Sequence, residues 1–326
     1  MFERYRWPHF IIAGAMKAGT TSLHHILNHH DNVFIPGREI FFFDLDDIHQ
    51  HPDFCMNDAG GWTFHDYEQQ YNPYLEWYQN FFHSAGDGQL IGEDSTTYMA
   101  SSKAPPRIAR LLPGVKLIFM LRDPVTRAYS HYWHLVNSGR AIYDFQGTLR
   151  HTPGTILQRG FYKEQINRYM QYFPSNQLKF IIFEEFTRNI QVIVDSVCIF
   201  LGLQTSVDTR VIDTHRNIGT APRCLSLKLR ANRIERKTAE RLYQGYLPTP
   251  KINQQPSPTF GSFLEHLSPT MVITRLVNYA PRSNYPAMAN GVREFLERLY
   301  AKENVGLGEL IGIDIERYWP YMKNHG

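Results

Sequence analysis

The sequence predicts an α/β fold of three layers, a central parallel sheet of about five strands with helices on both faces. Two observations carry this. Short apolar runs alternate with stretches of helical periodicity along most of the 326 residues, as crossover helices between parallel strands require. Two of the runs, Lys116–Leu121 (KLIFML) and Leu178–Phe183 (LKFIIF), are apolar at consecutive positions, which suits strands covered on both faces.

Taken in order, the first strand is predicted over His9–Ala13, with helical spacing of Leu23, Ile26 and Leu27 after it. Val33–Pro36 and Gln89–Gly92 are the next two strands, ahead of KLIFML and LKFIIF. Ile166, Tyr169, Met170 and Phe173 place a helix between the last two. Val292, Phe295, Leu296, Leu299 and Tyr300 place another near the carboxyl end. The segment from Asn217 to Leu276 interrupts this rhythm. It opens with a basic stretch, SLKLRANRIERKTAERL, and continues into LPTPKINQQPSPTFG. Residues 1–326 therefore read as a single domain carrying an insertion at 217–276, part helix and part loop.

Composition narrows the class. Hydrophobic residues make up 43% of the chain and aromatics 14%, enough for one large core and an aromatic-lined cleft. A net charge of +3 fits an anionic ligand and is too small to indicate nucleic acid. Cys55, Cys198 and Cys224 lie far apart and form neither a disulfide framework nor a zinc spacing, so a reducing compartment is expected. No leader pattern and no apolar run near the ~20 residues of a membrane span is visible. The expectation is a cytoplasmic protein with no membrane partner.

The most informative stretch is Phe10–Leu23, FIIAGAMKAGTTSL. A strand, a turn bounded by Gly14 and Gly19, and a helix opening at Thr20-Thr21-Ser22 make an anion site, since backbone amides and the helix dipole converge there. The spacing is that of a P-loop, G-x-x-x-x-G-K-[ST], but Thr20 stands at the lysine position and Lys17 lies inside the turn. A lysine within the turn suits a ligand with one phosphate in the cradle and the reacting group just beyond it. Farther on, Arg122 leaves the end of KLIFML, where ligands of open α/β sheets bind, and Ser130 follows on the next helix. Arginine offers phosphate a rigid, always-charged fork. The bland alternative makes Arg122 and Asp123 a structural ion pair.

GAMKAGTTSL resembles the 5′-phosphosulfate loop of the sulfotransferases that use 3′-phosphoadenylyl sulfate (PAPS), and Arg122-Asp-Pro-Val-Thr-Arg127-Ala-Tyr-Ser130 resembles their 3′-phosphate signature. Glu39-Ile-Phe-Phe-Phe-Asp44, Tyr71…Leu75-Glu-Trp77-Tyr78, Gly92-Glu93-Asp94-Ser95-Thr96-Thr97-Tyr98 and Gly160-Phe-Tyr162 are similar to segments of the heparan-sulfate-type and bacterial branches. Arg282-Ser283-Asn-Tyr285-Pro286 resembles the loop that closes over the nucleotide. Asp94 departs from the lysine of many glycan-acting members, and Thr96 from their proline.

The resemblance implies a P-loop three-layer fold and a donor site made of Lys17, Ala18, Gly19, Thr20, Thr21, Ser22, Arg122, Ser130, Arg282 and Ser283, with PAPS as donor, PAP as product and no metal. Sulfuryl transfer is mainly positioning and charge stabilisation. Lys17 is expected to offset charge on the leaving phosphate, and Glu39, at the family's base position, to take the acceptor's proton. His131, His134 and His215 compete for that role and are individually expected to be packing or surface residues. His24/His25 and His29/His30 lack partners at ligand spacing, so no metal site is read.

The expected acceptor is a small molecule of secondary metabolism, sulfated on a hydroxyl or amine. A chain borne on an acidic carrier protein, docked by the basic helix, and a glycan stand behind it. Outside this class, a P-loop small-molecule kinase and a non-catalytic PAP-binding module share the loop. The insertion at 217–276 is expected to lie over the acceptor entrance.

Overall fold

The computed structural model describes residues 6–55, 64–205, 219–241 and 284–325. Five strands form one parallel sheet: β1 (Phe10–Gly14), β2 (Val33–Phe34), β3 (Leu90–Asp94), β4 (Lys116–Leu121) and β5 (Leu178–Ile182), in the order β2-β3-β1-β4-β5. Every residue of β1 is buried, because strands and helices cover it on all sides. β5 differs from the doubly covered strand expected of LKFIIF. It is the sheet's edge, and Lys179 and Phe180 are only half-buried.

The helices are α1 (Thr20–Asn28), α2 (Tyr71–Asn80), α3 (Ala104–Leu111), α4 (Pro124–Asn137), α5 (Phe145–His151), α6 (Gly154–Gln158), α7 (Tyr162–Met170), α8 (Phe183–Arg188), α9 (Ile190–Leu201), α10 (Leu225–Arg241), α11 (Asn290–Glu303) and α12 (Leu307–Ile311). On α7 the inward residues are Tyr162, Ile166 and Tyr169, and Phe119 of β4 packs edge-on against Tyr169 with ring centroids 4.8 Å apart. Removing a fully buried ring such as Phe119 costs ~3–5 kcal/mol. On α11, Leu296 and Tyr300 face the core, whereas Phe295 is exposed.

Two features of this topology set the site. The chain leaves β1 toward β2 on one side and places β4 and β5 on the other, so the carboxyl ends of β1 and β4 meet where strand order reverses, the crevice in which open α/β sheets bind ligands. Then α4 begins directly after β4. Asp123 caps it, accepting from the amides of Val125 (3.2 Å) and Thr126 (3.3 Å), and Pro124 fills the first turn.

The expected insertion is described only over 219–241. There α10 docks on the far end of α4 through Asn232, whose Nδ2 donates to the carbonyls of Val136 (3.0 Å) and Ala141 (2.8 Å). The rest of the insertion, with the placement over the acceptor entrance, lies outside the described residues. So do Arg282, Ser283 and His215. Among the described residues no helix is long and apolar enough to cross a membrane.

Candidate active site

The loop between β1 and α1 is built for an anion. Lys17 (φ 70°) and Gly19 (φ 88°) both lie in the left-handed region, which reverses the chain tightly enough to present it at the start of α1. A Cβ at Gly19 would come within 2.7 Å of the Phe183 ring, so only glycine lets β5's end close against the loop. The amide of Ala15 bonds the Met120 carbonyl at 2.7 Å and ties the loop to β4. α1 then opens with no side-chain cap and no acidic residue in its first turn, leaving its positive end for a ligand. Thr20 is buried, Ser22 half-buried and Thr21 exposed, and buried Ala18 spends its amide on Ala15.

Arg122 reaches this loop from β4. Its Nη1 donates to the Lys17 carbonyl (3.2 Å), its Nε to Thr126 Oγ1 (3.2 Å), and its guanidinium lies 4.9 Å from the centre of the Phe183 ring. Asp123 is a helix cap and forms no ion pair with Arg122. Burial, and then the Arg122 charge, hold the Lys17 ammonium below the usual lysine range, while Glu39 pulls it back up. Arg122 is likewise held down, by burial. Among the described residues neither cation has a salt bridge. Two half-buried cations, with carboxylates nearby but no direct ion pair, fit a bound phosphate well. Ser130 lies buried two turns along α4. Tyr285 stacks on Trp133 at 5.5 Å, and Tyr129 donates to the Pro286 carbonyl (2.9 Å), so the segment just after Arg282 and Ser283 rests on the same helix.

Glu39 lies within electrostatic reach of Lys17. Thr96 donates to its Oε1 twice, from the amide at 2.9 Å and from Oγ1 at 2.5 Å. Burial, then the Asp94 charge, push its carboxyl up to about 7, against the Thr96 hydrogen bonds and the Arg159 charge. A carboxyl with its pKa near neutrality is well matched to proton abstraction. Asp94 is buried, pairs with His24 Nδ1 at 3.3 Å, and has no hydrogen-bond partner on its other oxygen.

Both α4 histidines lie within electrostatic reach of Lys17. His131 is buried and His134 half-buried, and burial, Lys17 and Arg159 together keep both neutral, with His134 lowered to about 4. Sequence reasoning passed over Thr96's part in holding Glu39, and Arg159 altogether. Arg159 is buried, bonds Gln50 through its side-chain oxygen (3.0 Å) and carbonyl (3.3 Å), and lies near Glu39. It directly precedes the recognised Gly160-Phe-Tyr162. No three His, Cys, Asp or Glu residues stand together as a metal cluster among those described.

A P-loop with Thr20 at the lysine position, an arginine delivered from the neighbouring strand and a buried carboxylate near Lys17 come together at the carboxyl ends of β1 and β4. The sulfotransferase domain model matches residues 7–220, and the chain belongs to that family of enzymes. It is 29% identical over 211 residues to heparan sulfate glucosamine 3-O-sulfotransferase 6 of Homo sapiens, covering 63% of this chain and 55% of that protein. It is 30% identical over 219 residues to the human bifunctional heparan sulfate N-deacetylase/N-sulfotransferase 2, covering 61% of this chain and 22% of that one. The chain thus spans about half the length, or less, of the curated relatives it matches. In fold it resembles a sulfotransferase from Alicyclobacillus acidocaldarius, with a TM-score of 0.62, 23% identity and coverage of 97% of this chain and 99% of the other.

Proposed function

We propose that this protein transfers a sulfuryl group from PAPS to a hydroxyl or amine of a small-molecule acceptor. The observation that carries the donor half is the pair of half-buried cations, Lys17 and Arg122, without a salt bridge at the open start of α1. PAPS supplies the sulfuryl group and a phosphate leaving group. Thr20, Thr21, Ser22 and the amides from Gly19 onward hold the 5′-phosphate, and Lys17 offsets the charge that grows on it. Arg122 and Ser130 hold the 3′-phosphate, joined by Arg282 and Ser283. Glu39, fixed by Thr96, takes the acceptor's proton as the new S–O bond forms. His131 and His134, held neutral beside Lys17, are the alternative bases.

Asp94 supports a small acceptor. It puts a second buried carboxylate beside Glu39, and an anionic glycan chain would meet repulsion there. The names of the relatives favour the glycan reading instead. The acceptor test uses 35S-labelled PAPS with phenols, amines and desulfated and sulfated heparan fragments as separate pools. Label on the small acceptors alone supports this reading, and label on the heparan fragments alone replaces it. Cytoplasmic location and a role in secondary metabolism belong to the same proposal.

A further inference from the structure

The Glu39 loop is held from behind by a closed set of buried hydrogen bonds. Glu93, at the end of β3, is fully buried and accepts three hydroxyl donors: Tyr78 on Oε2 (2.5 Å), and Tyr98 (2.5 Å) and Ser95 (2.9 Å) on Oε1. A hydroxyl has one proton to give. Because Ser95 gives its proton to Glu93, its lone pairs turn outward, and they accept the amides of Ile40 (3.1 Å) and Phe41 (3.0 Å), the two residues after Glu39. Tyr98 is fixed in the same way and accepts the amide of Phe43 at 3.3 Å. Phe41 sits at φ 61°, a conformation that a side-chain-bearing residue holds only where its surroundings impose it. Phe42 stacks on Tyr78 with centroids 4.3 Å apart and an interplanar angle of 12°. The same turn of chain carries Thr96, whose two donors grip Glu39 itself.

We infer that Glu93 is a positioning residue for Glu39, acting through Ser95 and Tyr98 on the backbone of the loop. While Glu93 is ionised it can only accept, and it then sets the direction of every hydrogen bond in the set. A glutamine there keeps the shape but presents an N–H to a tyrosine hydroxyl, which must turn to accept it, so the hydroxyl's own proton loses its acceptor and the directions in the set are no longer fixed. This rests on Glu39 being the base, and its failure is separable from that of the base assignment.

The test needs no acceptor. In the PAP complex of protein labelled with 13C at the glutamate carboxyl carbons, the Glu39 signal is assigned by its absence in E39Q and titrated. The amides of Ile40 and Phe41 are followed by hydrogen exchange. S95A is expected to speed exchange at both amides by about tenfold and to move the Glu39 midpoint upward by about half a pH unit as the Thr96 donors drift away. PAP affinity should stay within about twofold, since no donor residue is touched. S95T should restore both readouts, and E93Q should shift them in the same direction. E93Q alone decides if S95A loses PAP binding outright. An unchanged midpoint and unchanged exchange in both variants overturns the inference. So does a loss of PAP affinity in step with the shift in E93Q, which makes the network a general scaffold. Undiminished sulfuryl transfer by E39Q would remove the base assignment instead, whatever the network does.

Discussion

Lys17 and Arg122 touch the same loop, yet their losses should read differently. In the proposed roles Arg122 holds a phosphate that does not change during transfer, so R122A is expected to weaken PAP binding and leave turnover of the saturated enzyme largely intact. Lys17 is proposed to face charge that grows in the transition state, so K17A should cost ~2–4 kcal/mol, mostly in kcat. PAP titration beside steady-state kinetics separates the two, and a K17A enzyme with full turnover refutes the role given to it. At Glu39, the carboxyl raised to about 7 predicts an acid limb near that pH, with activity rising as the base ionises. Asp94 raises that value, so D94N should move the limb to lower pH. A limb that stays in place in D94N would mean another group sets it. Thr96 and Arg159 were hard to foresee at this scale, because their work depends on contacts 57 and 109 residues away in the chain, to Glu39 and Gln50.

At the scale of elements, all five strands were legible to within two residues at either end, since a buried strand writes its burial directly into its apolar run. β2 is the shortest: only Val33–Phe34 pairs, and the chain turns off toward Glu39. The edge position of β5 was not legible, because apolar composition does not report sheet order. The P-loop was legible through its glycines, and the structure gives the reason for one of them. G19A would force a side chain into φ 88° and against Phe183 at 2.7 Å. It is expected to lower both the thermal midpoint and PAP affinity, and a G19A protein with wild-type PAP affinity would show that the loop's shape is not what binds. The aromatic periodicity near the carboxyl end gave α11 correctly but assigned Phe295 to the wrong face, a residue at the margin of the apolar stripe.

For the whole molecule, Glu93 couples folding to pH. Burial raises its carboxyl to about 7 from an ordinary 4.5, against the hydrogen bonds of Tyr78, Tyr98 and Ser95. The folded state therefore holds this proton more tightly than the unfolded chain. The resulting stability is fully present below about pH 4.5 and is lost as pH rises through about 7. Glutamine does not titrate, so the stability of the wild type relative to E93Q should fall between about pH 5 and about pH 8. Urea melts at the two ends check this, and a constant difference contradicts it. We propose that the segment after α10 bears on acceptor choice. Replacing residues 249–259 by a short Gly-Ser link should leave PAP affinity unchanged, because the donor motifs lie before Phe186 or from Arg282 onward, while changing the acceptor KM. The most direct measurement of the central claim is calorimetric titration of the intact chain with PAP in excess chelator, beside ATP with magnesium. PAP is expected to bind without a divalent ion, and much more weakly in R122A. ATP binding that needs magnesium, with no binding of PAP, would contradict it and make the loop that of a kinase.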